Sequence, residues 1–293
     1  MHSILEQFTG STRSARFFAR CVLLSVLSGV GAVSSHAATI AGVVWQPQNA
    51  LIEPKGKWEQ LGARSLLIQW TAVDNLAFVD GAGIPLVPKL PDWQRIAGEP
   101  WAQEVILGLG GYFDETKARA NLDELGKLSA RLAKLPTPLN VVGWYFPVEI
   151  DPTWDSASKL IPILDSLPRP LWISVYDSAN RGPDDVAKWL AAWLPKDVGV
   201  FFQDGVGVHA REASVAVDYL KAMENRLGKD RVRVIAEAFR PQAGGGFRAA
   251  TAAELVPQLK TYGARQVYLF DGPHYVSDAL VDALKAALPG TAP

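Results

Sequence analysis

Short apolar runs rich in β-branched residues alternate with amphipathic stretches through most of the chain, and the alternation recurs eight times. Such a pattern predicts parallel strands joined by helices. Near-continuous apolarity, as in VGVFF, indicates strands covered on both faces. The predicted strands are Ile40–Gln46, Ser65–Thr71, Glu104–Leu109, Val141–Phe146, Leu171–Tyr176, Val198–Gln203, Val232–Glu237 and Gln266–Asp271.

Helical periodicity fills most of the intervals between these strands. Between strands two and three, the stretch FVDGAGIPLVPKL predicts a small hairpin or rim loop, followed by a short helix around Trp93–Ala97. The clearest predicted helices are Asp114–Leu135, Pro183–Leu194, Arg211–Leu227, Thr251–Tyr262 and Ser277–Leu288.

Eight strand–helix cycles of this length predict an α/β fold, a single (β/α)8 or TIM barrel that spans residues 38–293. The rival architecture is an open, doubly wound sheet. It would usually carry a glycine-rich phosphate loop after the first strand, whereas the chain reads VVWQPQNA there. The barrel is therefore the favoured fold.

The first 37 residues have the layout of a secretory signal peptide. Three arginines precede the apolar run CVLLSVLSGVGAV, which is followed by a small-residue cleavage motif ending at Ala37. A retained membrane anchor is the alternative, but the run is short for a bilayer span. The one cysteine, Cys21, begins the run, which is the wrong order for a lipoprotein. We expect a periplasmic or secreted protein without disulfides.

The size and net charge of the chain limit the kinds of partner that can be expected. Removing 37 of the 293 residues leaves 256, which is enough for one large core. The segment removed carries three Arg and one Glu, so the net charge falls from −1 to about −3. This balance gives no electrostatic reason to expect nucleic acid or an anionic membrane as a partner. We expect a monomer whose partner is a carbohydrate substrate.

Two glutamates close strand-like runs that are three repeats apart. Glu149 ends GWYFPVE and Glu237 ends VRVIAE, the predicted fourth and seventh strands. Barrel enzymes place their chemistry at the C-terminal ends of the strands. Two carboxyl groups facing each other across that rim can cleave a glycosidic bond. The aromatic neighbours of Glu149 suit a general acid.

Asp204 competes with Glu237 for the role of second carboxyl group, because it follows the sixth predicted strand in FFQDGVGV. Gln203 and Asp204 are also interpreted as groups that bind sugar hydroxyls or orient a catalytic acid. Further substrate-binding candidates lie at strand ends, where aromatic faces can stack on sugars. They are Trp45, Gln46, Trp70, Trp144, Tyr145, Tyr176, Asp271 and His274.

Metal and serine-nucleophile chemistry find little support in the sequence. Beyond residue 37 the histidines are His209 and His274, with no His-X-His or His-X-X-X-His pair. A barrel deacetylase would need an aspartate and two histidines close together, and no Gly-X-Ser-X-Gly elbow is present. We expect neither a metal nor a cofactor.

With Glu149 and Glu237 in these positions, the chain resembles the clan of retaining (β/α)8 glycoside hydrolases. The segments GWYFPVEID and FQDGVGV also resemble an uncharacterised group of secreted bacterial barrel proteins related to that clan. The resemblance implies that Glu149 is the acid/base and Glu237 the nucleophile. Val148 stands where the clan usually has an asparagine that binds the sugar 2-hydroxyl.

These features predict an exported glycoside hydrolase for a poly- or oligosaccharide, such as an exopolysaccharide or an envelope glycan. A carboxyl separation of about 5 Å would indicate retention of configuration and about 6.5–9.5 Å inversion. The alternative is a carbohydrate-binding barrel without catalysis, which would bind glycans but release no reducing ends.

The signal segment generates the first testable prediction. When the full chain is expressed in a bacterium with a secretory pathway, the exported protein should begin at Ala38, because cleavage follows the small residue Ala37. Intact-mass spectrometry of the periplasmic fraction measures this directly. A protein that stays in the membrane fraction with residues 1–37 attached would contradict it.

Overall fold

The computed structural model describes residues 39–288 and contains a closed barrel of eight parallel strands. The first strand pairs with the last, from Thr39 opposite Gln266 onward, and this pairing closes the ring. The predicted (β/α)8 fold is therefore confirmed, while the signal segment lies outside the described residues. The barrel strands are β1 (Thr39–Trp45), β2 (Ser65–Ile68), β3 (Glu104–Gly108), β4 (Val141–Ile150), β5 (Leu171–Val175), β6 (Val198–Gln203), β7 (Val232–Glu237) and β8 (Gln266–Phe270).

All eight predicted strands are present, and β6 and β7 have their predicted bounds. The fourth differs most, since β4 runs four residues beyond the predicted end at Phe146. Its pairing with β5 is interrupted between Tyr145 and Glu149, which lie opposite Trp172 and Ser174. Three residues of β4 therefore face a single residue of β5, which makes this irregularity a bulge.

Helices fill most of the intervals between strands. None within residues 39–288 has both the length and the apolar character that a bilayer crossing requires. They are α1 (Trp93–Ala97), α2 (Glu115–Ala120), α3 (Leu122–Leu132), α4 (Ile161–Ser166), α5 (Pro183–Trp193), α6 (Ala213–Leu227), α7 (Ala252–Thr261), α8 (Gly272–Tyr275) and α9 (Asp278–Ala287).

The prediction of one continuous helix over Asp114–Leu135 is wrong, because the backbone leaves helical geometry at Asn121 (φ −121°, ψ 32°). The Asn121 side-chain amide donates to the Lys117 carbonyl at 2.7 Å. Such local side-chain bonds compete with regular helix. Asp114 caps α2 by accepting the Lys117 N–H at 2.7 Å. The break makes α2 a separate short helix at the end of β3.

A hairpin at the rim follows β2. Ala72–Val73 pairs antiparallel with Leu76–Ala77 and parallel with Gly110–Gly111. Its turn residues Asp74 and Asn75 have φ of 50° and 64°, the left-handed conformation that tight hairpins require. The hairpin lies just before the FVDGAGIPLVPKL stretch for which a hairpin or rim loop was predicted.

The barrel interior contains a layer with one buried side chain from each strand. Because side chains alternate between the two faces of a strand, the inward positions recur every second residue. Two residues further along, the inward positions reach the C-terminal rim and become mostly polar. The layer consists of Val44, Leu67, Ile106, Tyr145, Trp172, Phe201, Ile235 and Tyr268. It forms the floor beneath any site at that rim.

Candidate active site

A pocket with roughly 590 Å³ of empty space opens at the C-terminal rim of the barrel. Four polar side chains that line it are the inward residues two places beyond the buried layer, namely Gln46, Gln69, Ser174 and Gln203. Among the other lining residues are Val44, Leu67, Trp70, Phe113, Glu115, Tyr145, Pro147, Glu149, Ile235 and Phe270. Because inward side chains recur every second residue along the strands, the pocket has apolar side chains at its base and amide side chains around it.

Glu149 lines this pocket because it is the inward residue four places after Tyr145 on β4, just beyond the bulge. Its Oε2 accepts a hydrogen bond from Gln203 Nε2 at 2.9 Å. Gln203 therefore contacts a rim carboxyl group, while its two predicted roles, orienting a catalytic acid or binding sugar hydroxyls, stay predictions. The hydrogen bond fixes the carboxyl orientation at the mouth of the barrel.

Helix α2 holds the main chain of Glu149 on both sides. Glu115 Oε2 accepts the Glu149 N–H at 3.0 Å, and Arg119 Nη2 donates to the Glu149 carbonyl at 3.0 Å. Residues four apart on a helix lie on the same face, so one turn of α2 provides both contacts. Arg119 also lies over the Trp154 ring, 5.1 Å from its centroid. The position of Glu149 therefore depends on α2 as well as on its own strand.

Glu115 provides a second carboxyl group in the same pocket. Burial raises the pKa of Glu115 to about 8, and the negative charge of Glu149 contributes in the same direction. The hydrogen bond from the Glu149 N–H and the Arg119 charge oppose this rise. Glu115 is therefore largely protonated at neutral pH, as a general acid must be.

Glu237 occupies an inward position two residues beyond Ile235, but it is only 4% exposed and is not among the residues that line the pocket. Its Oε2 accepts the Val208 N–H at 3.1 Å. A Cβ atom on Gly207 would lie 2.5 Å from Glu237 Cβ, so the loop after β6 lies directly on this side chain. Burial, then the charge of Asp204, raise the pKa of Glu237 to about 8.

Asp204 is fully buried, and four donors hold its carboxyl group. Oδ1 accepts the N–H groups of Val206 (3.1 Å) and Glu237 (3.2 Å). Oδ2 accepts from Gln258 Nε2 (2.6 Å) and Tyr262 Oη (2.5 Å). These contacts tie the ends of β6 and β7 to α7, so Asp204 acts here as a structural anchor behind the rim.

Tyr176 is close enough to both Glu149 and Glu237 for their charges to raise its pKa. It is 3% exposed, and its pKa is raised by burial first and then by the charges of Glu237 and Glu149. The hydroxyl of Tyr145 donates to Ser174 Oγ at 2.8 Å at the base of the pocket. Glu149 and Glu237 thus belong to adjoining regions of one rim.

The remaining sequence candidates divide between pocket and packing. Gln46 and Trp70 line the pocket, whereas Trp45 is fully buried and donates to the Leu51 carbonyl at 3.0 Å. Trp144 has the opposite strand parity to Tyr145 and packs against the outer core. The other two, Asp271 and His274, do not line the pocket: Asp271 is 2% exposed, and burial raises its pKa well above the usual value, while His274 is exposed beside Tyr275.

Sequence reasoning missed Glu115 and Gln69. Glu115 lies at the start of the predicted helix Asp114–Leu135 and was not singled out, although only six residues separate it from the end of β3 at the rim. Gln69 is the inward residue two places after Leu67, and its Oε1 is buried without a hydrogen-bond partner. Counting inward positions by twos would have found Gln69. Within residues 39–288, no group of three or more His, Cys, Asp or Glu side chains is placed to hold a metal ion.

Comparison with known proteins gives a distant relative and a shared fold. No protein-family model matches the chain. The uncharacterized protein YbcH of Escherichia coli (strain K12) is 27% identical over 232 residues, which cover 69% of this chain and 75% of YbcH.

Two solved structures share the barrel fold. One is described as a "putative alpha-L-fucosidase" from Bacteroides thetaiotaomicron, with a TM-score of 0.58 and 15% identity over 93% of this chain and 99% of the other. The second is the PgaB (BpsB) glycoside hydrolase domain from Bordetella bronchiseptica, with a TM-score of 0.52 and 13% identity over 85% and 99%. The expected resemblance to barrel glycoside hydrolases is confirmed in fold.

Because Glu237 is buried, the difference in stability between the wild type and Glu237→Gln should depend on pH. Its pKa is about 8 in the folded protein and near the ordinary 4.5 when unfolded, so the folded state binds the extra proton. Between these values the wild type loses stability as pH rises. Glu237→Gln keeps an acceptor for the Val208 N–H and cannot ionise. Its free energy of unfolding relative to wild type should increase from pH 4.5 to pH 8.

Urea unfolding at a series of pH values measures this difference. The control is Glu124→Gln on α3, where the side chain is exposed, and which should show little change across the series. A difference between Glu237→Gln and wild type that stays constant with pH would contradict the burial of an ionisable group at this position.

Proposed function

We propose that this protein is a glycoside hydrolase that cleaves a poly- or oligosaccharide in the rim pocket. The observation that carries the proposal is the presence of two carboxyl groups, Glu115 and Glu149, in one amide-lined pocket at the C-terminal end of a (β/α)8 barrel. Barrel enzymes react at this end, and a carboxyl pair is the equipment of glycosidic cleavage. The two structural relatives, one described as a "putative alpha-L-fucosidase" and the other as a glycoside hydrolase domain, support the same class.

In this proposal Glu115 is the general acid. With a pKa of about 8 it holds a proton at neutral pH and passes it to the glycosidic oxygen as the bond from that oxygen to the anomeric carbon breaks. Glu149 acts on the anomeric carbon, either by direct attack or by taking a proton from the attacking water. Gln203 keeps the Glu149 carboxyl group in place through the 2.9 Å hydrogen bond.

This assignment differs from the one that the family resemblance implies, in which Glu149 is the acid/base and Glu237 the nucleophile. Two observations favour Glu115 as the partner. Glu115 lines the pocket and is hydrogen-bonded to the main chain of Glu149, whereas Glu237 is covered by the loop at Gly207. The pairing of Glu149 with Glu237 stays a prediction that the same set of variants tests.

We further propose that the enzyme acts outside the cytoplasm as a monomer. The support is the signal-peptide layout of residues 1–37, which would deliver the barrel to the compartment where exopolysaccharides and envelope glycans are found. Nucleic acid and membrane lipid are not proposed as partners, since the charge balance supplies no attraction to either.

Substitution of either pocket glutamate should abolish turnover without unfolding the protein. Glu115→Gln keeps an acceptor for the Glu149 N–H but has no proton to donate, and Glu149→Gln keeps an acceptor for Gln203. Each should lower kcat/KM by about 100-fold or more. The wild-type kcat/KM should fall as pH rises through about 8, where Glu115 loses its proton.

Reducing-end release from a panel of α- and β-linked glucans and amino-sugar polymers measures the activity, with the exposed Glu124→Gln as control. If Glu237→Gln abolishes activity and Glu115→Gln does not, the pairing implied by the family resemblance is right. Binding of glycans by the wild type without any release would identify a carbohydrate-binding barrel instead.

A further inference from the structure

A second pocket, with about 580 Å³ of empty space, adjoins the one that holds the glutamates. The two share Gln46, Trp70 and Phe113 as lining residues. The second pocket continues outward between the loop after β1 and the rim hairpin that follows β2. The shared walls place the two pockets side by side at the rim.

Phe113 lines both pockets and is among the exposed large apolar residues. Its side chain is 42% exposed, and it lies two residues before Glu115. Trp70 supports it edge-on, with ring centroids 6.1 Å apart and planes at 66°. Trp70 is only 3% exposed and donates from Nε1 to the Pro47 carbonyl at 2.8 Å. The exposed ring therefore rests on a fixed base.

Polar groups edge the same pocket. Gln48, Asn49 and Asp74 are exposed lining residues, and Asp74 Oδ1 also accepts the Phe113 N–H at 3.4 Å. Gln46 provides an amide where the two pockets meet. An aromatic face with hydrogen-bonding groups around it matches a sugar ring, which has an apolar face and hydroxyl groups at its edge. A purely apolar ligand would leave these groups without partners.

We propose that the second pocket binds the sugar unit next to the one at Glu149, with Phe113 as its stacking platform. The inference rests on the proposed carbohydrate function and makes it more specific. The substrate is a glycan chain of at least two units in which the cleaved bond lies beside an occupied neighbouring site. Phe113 is then a specificity-determining residue. It lies two residues before Glu115, so one short segment carries both the stacking ring and the proposed general acid.

Binding as a function of chain length tests this inference. Glu149→Gln protein, which should bind without turnover, is titrated by calorimetry with oligomers of one to six units prepared from each polymer of the panel. Affinity should rise roughly three- to tenfold from one unit to two, as expected for one added stacking contact. In the Glu149→Gln/Phe113→Ala double variant this rise should disappear, and Phe113→Trp should restore it.

Leu86→Ala in the same background is the matched control. Leu86 is 43% exposed on the same side of the rim but lines neither pocket, so its removal should leave the dependence on chain length unchanged. Equal affinity for one and two units, or a rise that survives Phe113→Ala, would overturn the inference. Absence of hydrolysis by the wild type, with the Phe113-dependent rise intact, would refute the proposed hydrolase activity alone.

Discussion

The pairing of the first strand with the last is the interaction on which the rest of the structure depends. Parallel bonds between β1 and β8 close the ring, so no barrel strand presents a free edge. Closure brings the C-terminal ends of all eight strands to one rim. It also turns alternate side chains of every strand inward, where Val44, Phe201 and their counterparts fill the interior. The inward amide side chains two residues further along the strands therefore line the rim pocket.

Two pairs of acidic residues lie at this rim, and their surroundings differ. Glu115 and Glu149 line an open pocket and are joined through a main-chain N–H of one and the carboxyl group of the other. Asp204 and Glu237 are buried, with main-chain and side-chain donors on Asp204 and the loop at Gly207 over Glu237. Burial raises a carboxyl pKa in both pairs.

Accessibility distinguishes the two pairs. A carboxyl group can give a proton to a substrate only where the substrate can reach it. The open pair is therefore suited to chemistry, and Asp204 of the buried pair is suited to holding β6, β7 and α7 together. The raised pKa of a buried acid does not by itself indicate catalysis, because structural networks produce the same shift.

Strand–helix alternation, together with the absence of a glycine-rich phosphate loop after the first strand, was enough to predict the barrel, because each strand is a local apolar run. It also placed Glu149 at the rim. The break at Asn121 was not predictable from periodicity, since a single side-chain bond to the Lys117 carbonyl accompanies it. Glu115 was missed for a related reason. Its approach to Glu149 depends on the separate short helix α2, which helical periodicity did not predict.

The environments of the tryptophans were also only partly predictable from the sequence. Strand-end positions suggested a set of stacking platforms, yet Trp45 is fully buried and Trp144 packs on the outer face of the barrel. Strand parity decides this, since Trp144 is one residue from the inward-facing Tyr145. Only a register counted from a known inward residue distinguishes the two faces.

The coupling between Glu115 and Glu149 is tested most directly by carbon-13 NMR titration of the glutamate side-chain carboxyl groups. Two of them should titrate near pH 8, assigned to Glu115 and Glu237 through the single glutamine variants. Glu149→Gln should lower the pKa of Glu115 by removing the neighbouring charge, and leave that of Glu237 unchanged. A Glu115 carboxyl group that titrates near its ordinary value, or one that does not respond to Glu149→Gln, would contradict the account of a paired site.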